Sequence, residues 1–304
     1  MQILFYDIND TDRVRKVQQT LQDDSFKKIL ITAGDSWTNQ LIETFGNERS
    51  WVREYAQTKG YDLVIVSASG GSSATQTFIN LVNLLSNSEI KSDVMDTPKC
   101  WFDFNIFENK HLDVIVQWTS IIRDYSEMTA WFKPYTTASL PDLSTNEYKL
   151  EMYDEFVSNI FNEKYYSYKV QLYSWQLQKY FEKWNIPYYF WMGFCDLVPE
   201  SVEGTDLDIR KYLNKDRWFN LYDKPNNMSD YLYYLEKKEL PKKLSPLLTE
   251  GNSLGITKTL SKKLKELFDK NIKNTSYEES LFLDDLHPSK KGNSEIVKIL
   301  LERI

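Results

Sequence analysis

Four short apolar runs constrain the fold of this 304-residue chain more than any other feature of it. They are "KILITAG" at 28–34, "YDLVIVSAS" at 61–69, "LDVIVQW" at 112–118 and "IPYYFWMGF" at 186–194. Each has the length of a strand and is rich in β-branched or aromatic residues. Each also places apolar residues at successive positions, where a strand with one wet face would alternate. Such runs fit strands covered on both faces, as in a parallel sheet. Between them stand helix-like patterns, "TNQLIETFGNERSWVREYAQTKG", "TQTFINLVNLLSN" and "YSWQLQKYFEKWN", and "SEIVKILLERI" reads as a last amphipathic helix. Strand and helix in alternation predict a doubly wound α/β sheet with right-handed crossovers.

The rhythm lapses at about 125–165 and 196–280, where "KPYTTASLPDLSTNEY" and "DKPNNMSDYLYYLEKKELPKKLSPL" carry scattered prolines and turn residues. These stretches read as loops and helices inserted into one α/β domain spanning 1–304. Insertions of this kind are expected over the carboxyl ends of the strands, where ligands bind in open α/β sheets. No internal repeat or low-complexity tract interrupts the pattern.

A formal charge of -7 and a pI near 5.1 offer nothing overall to nucleic-acid phosphates or anionic lipid heads. The basic clusters "EKKELPKKL" and "SKKLKELFDK" are interleaved with acids and read as solvated helix faces. Aromatic residues make up 15%, with 20 Tyr and 9 Trp, which fits a heavily packed core or an aromatic groove for flat ligands such as sugars. The core is favoured, since large rings are buried by default. Cys100 and Cys195 stand far apart in no metal or redox spacing, so two reduced thiols and a reducing compartment are expected. The first residues, "MQILFYDINDTDR", lack the basic start and apolar run of a signal peptide, and no stretch reaches the ~18 apolar residues of a membrane span. A soluble, cytoplasmic protein is the expectation.

Chemistry is concentrated in two short segments. Gly34-Asp35-Ser36 falls where the first strong strand ends and a helix begins, so Ser36 projects from the sheet edge beside backbone amides able to face developing negative charge. Ser36 could equally be a helix cap, although its N3 residue would be Asn39 and not the Glu or Gln of a capping box. The second segment is "LDDLHPSKKG", holding His287, one of only two histidines. A serine hydroxyl becomes a strong nucleophile when a base takes its proton, and imidazole does so best with a carboxylate fixing its tautomer. Asp284 lies three residues upstream of His287, within reach across a turn. Alternatively the segment is a surface turn, with Pro288 at the first position of the following helix.

In order and strand context the two segments resemble the SGNH (GDSL) hydrolases, whose first block is Gly-Asp-Ser at a strand-to-helix junction and whose last is Asp-x-x-His-Pro. Here those blocks are Gly34-Asp35-Ser36-Trp37 and Asp284-Asp285-Leu286-His287-Pro288, with Trp37 in place of the usual leucine. The resemblance implies a flavodoxin-like three-layer α/β/α fold with a parallel sheet of about five strands. It implies Ser36 as nucleophile, His287 as general base and then acid, and Asp284 as the carboxylate orienting it. It also implies an oxyanion hole from the Ser36 amide and a glycine after the second strand, Gly71 before Gly70, although paired glycines also make a tight turn unaided.

The third block departs from the family. Members usually end the third strand with Gly-x-Asn-Asp, the asparagine donating to the oxyanion, whereas this chain has "VIVQWTSIIRD". Gln117, Thr119, Ser120 and Arg123 are the candidate replacement donors, Thr119 and Ser120 standing nearest the strand end. Loss of one such donor typically costs about 100-fold to 1000-fold in rate. Asp35, Trp37, Trp118 and Arg123 adjoin these positions and are the candidate substrate contacts. The "QWTS" strand end resembles phage-encoded members of the family, which would make a virion-associated setting the alternative location.

Other reaction classes fit poorly. An α/β-hydrolase elbow needs Gly-x-Ser-x-Gly, and residues 34–38 read Gly-Asp-Ser-Trp-Thr. Two histidines and two separated cysteines do not make a metal centre, and neither a P-loop nor Gly-x-Gly-x-x-Gly follows a strand. The expectation is therefore an ester hydrolase working through an acyl-serine, without metal or organic cofactor, on a small-molecule or carbohydrate ester. Aromatic richness leans toward sugar O-acetyl groups. The rival from another class is a binding or virion-associated module that keeps the fold without turnover, motivated by the altered third block.

Overall fold

The computed structural model describes residues 1–39, 50–68, 72–86, 110–119, 163–194, 197, 208–235, 281 and 287–304. Five strands, β1 (Gln2–Phe5), β2 (Lys28–Gly34), β3 (Leu63–Ala68), β4 (His111–Trp118) and β5 (Tyr188–Met192), form one sheet in the order β1-β3-β2-β4-β5, every pair parallel. Four of them are the four apolar runs. The remaining strand is one that the sequence pattern did not single out: β1 is four residues long, sits at the edge and pairs with β3 alone.

Burial explains the uninterrupted apolar runs. All of β3 and β5, and β2 from Ile29 onward, are buried, because helices cover both faces. On one face Ile29, Ile31, Ala33, Val114, Val116, Trp118 and Phe190 pack against α1 (Thr11–Leu21), α4 (Ala74–Ser86) and α5 (Glu163–Lys183). On the other, Leu30, Val64, Val66, Ile115, Tyr189 and Trp191 pack against α3 (Trp51–Lys59), α6 (Met228–Leu235) and α7 (Lys290–Arg303). Successive residues of a strand point to opposite faces, so both layers are filled from the same short runs. Connections that step one way along the sheet place α1, α4 and α5 on one face, and the single step back places α3 on the other, as one crossover handedness requires.

The topology marks one position at the sheet's rim. From β2 the chain passes to β3 on one side, then returns past β2 to β4 on the other. The carboxyl end of β2 is therefore a topological switch point, where open α/β sheets have their crevice. Asp35 and Ser36 follow β2 there, and Ser36 opens a four-residue helix, α2 (Ser36–Asn39).

The described part of the second insertion, 208–235, covers the edge of β5. Phe190 bridges to Trp218 and Met192 to Asn227, the Phe219 amide donates to the Phe190 carbonyl at 3.0 Å, and Met228 and Leu232 of α6 are fully buried. Unpaired edge groups are thereby satisfied within the chain. The expectation of insertions over the strand ends is met here by a segment along the strand's side instead. The first insertion lies outside the described residues, save its final turn entering α5.

Candidate active site at the carboxyl rim

The turn after β2 is held by Asp35. Its side chain is completely buried, and among the described residues its carboxylate accepts from the Trp37 amide at 2.9 Å and Gln117 Nε2 at 2.7 Å on Oδ1, and from Thr119 Oγ1 at 2.7 Å on Oδ2. The Asp35 carbonyl accepts from the amides of Thr38 at 3.1 Å and Asn39 at 2.9 Å. Asp35, and not Ser36, is thus the residue that caps α2, binding the N2 amide as a cap does. An aspartate before a serine is the signal in the sequence, since the two cap about equally well. Ser36 is left half-buried, and among the described residues neither its hydroxyl nor its amide has a hydrogen-bond partner.

Gln117 completes this support. It is fully buried, and its Oε1 accepts from Thr38 Oγ1 at 2.6 Å while its Nε2 serves Asp35. The side chain fits because glycines stand at the ends of both neighbouring strands, Gly34 closing β2 and Gly193 just past β5. A Cβ on Gly34 would lie 2.8 Å from Gln117 Oε1, and one on Gly193 would lie 2.6 Å from Gln117 Nε2. Contacts that short require something to move.

These bonds engage two of the candidate oxyanion donors. Gln117 and Thr119 are the described candidates on β4 and just beyond it, and each donates a hydrogen bond to Asp35, inside the protein. Three candidate substrate contacts are buried as well. Asp35 is buried under its three donors, Trp37 packs edge-on to Phe194 with ring centroids 4.6 Å apart, and Trp118 stacks on Phe190 in the opposite layer. A side chain with no exposure presents nothing to a ligand. Asp284, Gly70, Gly71, Ser120 and Arg123 lie outside the described residues, as do Cys100 and Cys195.

The two histidines are separated by the sheet. His111 opens β4, in register with Lys28 at the amino end of β2, and its Nε2 lies 2.9 Å from Asp113 Oδ2, a carboxylate shared with the Tyr61 hydroxyl. A strand of eight residues, about 3.3 Å each, stands between it and the Ser36 rim. His287 is on the other side of that divide. Helix α3 leads back toward the amino end of β3, so its first residue, Trp51, stands at the carboxyl rim. The Trp51 amide donates to Asn293 Oδ1 at 3.2 Å, and Asn293 Nδ2 donates to the carbonyls of Pro288 at 3.1 Å and Ser289 at 3.0 Å. The turn holding His287 therefore shares its rim with Ser36. Pro288 is not the first residue of α7: Ser289 caps that helix, accepting from the Gly292 amide at 3.2 Å, and Pro288 precedes the cap.

Among the described residues no cluster of three or more His, Cys, Asp or Glu side chains is placed to hold a metal ion, and no described helix is long and apolar enough to cross a membrane. Five of the nine tryptophans, Trp37, Trp51, Trp118, Trp191 and Trp218, are among the largest fully buried side chains, so most of the tryptophans belong to the core.

No family model matches the chain, and no curated protein matches it. Among solved structures it is similar to a member of the lipolytic G-D-S-L family from Veillonella parvula, at 13% identity and a TM-score of 0.33 over 90% of this chain and 97% of that one. It is likewise similar to an acetyl xylan esterase, at 14% identity and a TM-score of 0.34 over 91% of this chain and 99% of that one.

Proposed function

We propose that this chain is a serine ester hydrolase of SGNH type. The observation that carries the reading is the division of labour at the switch point. Asp35, Thr38, Gln117 and Thr119 are bonded to one another, while Ser36 keeps both its hydroxyl and its amide uncommitted among the described residues. A turn held this firmly around one open serine suits a nucleophile, whose geometry must not relax during reaction.

In the proposed reaction the Ser36 oxygen attacks an ester carbonyl carbon while its proton passes to the His287 imidazole. The carbonyl oxygen gains the negative charge, and the amides of Ser36 and Gly71 donate to it. Collapse breaks the bond to the alcohol, which leaves with the proton from His287. Water then attacks the acyl-serine by the same route, releasing the acid and restoring the hydroxyl. Asp284 orients the imidazole throughout.

The substrate class proposed is an ester with a small acyl group, a carbohydrate O-acetyl ester included. The aromatic argument for a sugar is weaker than the composition implied, because most of the tryptophans are in the core. Hydrolysis of p-nitrophenyl acetate by the wild type and Ser36→Ala tests the reaction. Activity is expected in the first and not the second, falling as the acyl chain lengthens; equal activity in both would contradict the mechanism, and a preference for octanoate the substrate class.

A second reading is favoured by one observation. With Gln117 and Thr119 turned onto Asp35, the described residues supply a single oxyanion donor, the Ser36 amide. A binding module that retains the fold without turnover would accept that arrangement, and absence of hydrolysis on every ester tried would favour it.

A further inference from the structure

Two side chains remote in sequence tie the turn of Ser36 to the turn of His287. Trp51 opens α3, and its backbone amide is among the donors that a helix start leaves without an intrahelical acceptor. That amide goes to Asn293, 242 positions along the chain. The Trp51 indole Nε1 donates to the Trp37 carbonyl at 3.2 Å. Asn293 turns the other end of its carboxamide on the carbonyls of Pro288 and Ser289. The path thus runs from the Trp37 carbonyl through Trp51 and Asn293 to the Pro288 carbonyl. At each end the next residue is one of the pair named above, Ser36 or His287. Trp37, Trp51 and Asn293 are at most 1% exposed, so water does not compete for these bonds.

The residue types suit the task. A carboxamide offers one acceptor for the amide and two hydrogens for the carbonyls, which neither a carboxylate nor an apolar side chain supplies. The indole offers a single N–H at the end of a rigid ring. We propose that Trp51 and Asn293 act as one positioning unit that sets the spacing between the Ser36 hydroxyl and the His287 imidazole. This rests on the acyl-transfer reading, in which proton transfer depends on that spacing: a misplacement of about 1 Å can cost about 100-fold.

The test is a double-mutant cycle on p-nitrophenyl acetate hydrolysis with Trp51→Phe, which removes the indole N–H and leaves a smaller aromatic ring, and Asn293→Asp, which removes both hydrogens donated to the carbonyls. Each is expected to lower kcat at least about tenfold with KM within about twofold, and the double variant to be no slower than the slower single, as for residues acting as one unit. Leu300→Ala, in the buried face of the same helix, is the control: it lowers the denaturation midpoint and leaves kcat near that of the wild type. If Asn293→Asp does not fold, Trp51→Phe decides through its kcat and KM. Losses that multiply in the double variant, a change confined to KM, or an equal kcat loss in Leu300→Ala would overturn the positioning unit. A wild type whose activity is absent or survives Ser36→Ala defeats the acyl-transfer reading and this proposal together, whereas an active wild type matched by Trp51→Phe defeats this proposal alone.

Discussion

Ser36 and Asp35 are adjacent, yet the structure gives them opposite tasks. Asp35 turns its buried carboxylate on the turn, and among the described residues three donors depend on it. Asp35→Ala leaves those donors unsatisfied, at about 1–3 kcal/mol for each one that stays buried, so a loss of at least about 3 kcal/mol is expected in urea denaturation. Among the described residues the Ser36 hydroxyl and amide bond to nothing. Ser36→Ala is therefore expected to change stability by less than about 0.5 kcal/mol while ester hydrolysis falls at least about 1000-fold, a contrast that kinetics and urea titration on the same samples would measure. The Gly-Asp-Ser block was legible in the sequence, but the division of labour within it was not. Serine and aspartate cap helices equally well, and only the positions of Gln117 and Thr119 decide which of them is bonded down.

At the scale of elements, the Ser36 turn belongs to three strands. Gln117 of β4 reaches over β2 to Asp35 and Thr38, and it has room only because Gly34 and Gly193 bring no side chains from the strands on either side. Gly193→Ala, just past the end of β5, is accordingly expected to displace the Gln117 carboxamide, costing about 1–3 kcal/mol and lowering kcat although residue 193 carries no chemistry of its own. Thermal denaturation and kinetics of this variant beside Gln117→Leu would show both effects together or neither. Strands β2 to β5 were legible because burial on both faces leaves an unbroken apolar signature. Strand β1 was not, since Gln2 is exposed and Ile3 and Phe5 only half-buried at an edge. Nor could the sequence say that Gln117, Trp118 and Thr119 all face inward: strand-end residues look alike until their neighbours are in place.

Across the whole molecule, the same two-layer burial that fixes the sheet also traps tyrosines. Burial pushes the hydroxyls of Tyr55, Tyr180 and Tyr189 up to about 12, and raises that of Tyr61 further, with its bond to Asp113 adding to the effect. The ordinary value is about 10, so above it the unfolded chain gives up these protons while the folded chain still holds them. Stability is therefore full below about pH 10 and declines as pH rises from there through about 12. Urea midpoints taken between about pH 8 and pH 11.5 should fall across the upper half of that range, and a flat profile would contradict the burial. Composition hinted at this core, and most of the tryptophans are indeed in it; the rim was less legible, because order along a chain does not fix which end of the sheet a residue 250 positions away returns to. The α3–α7 contact, with Trp51 bonded to Asn293, brings His287 to the rim of Ser36 and leaves His111 at the other. Treatment with a fluorophosphonate, followed by mass spectrometry of the modified peptide, tests the central claim most directly. The account predicts stoichiometric phosphonylation of Ser36, abolished in Ser36→Ala and strongly slowed in His287→Ala. Modification of a different residue, or none in an active preparation, would contradict it.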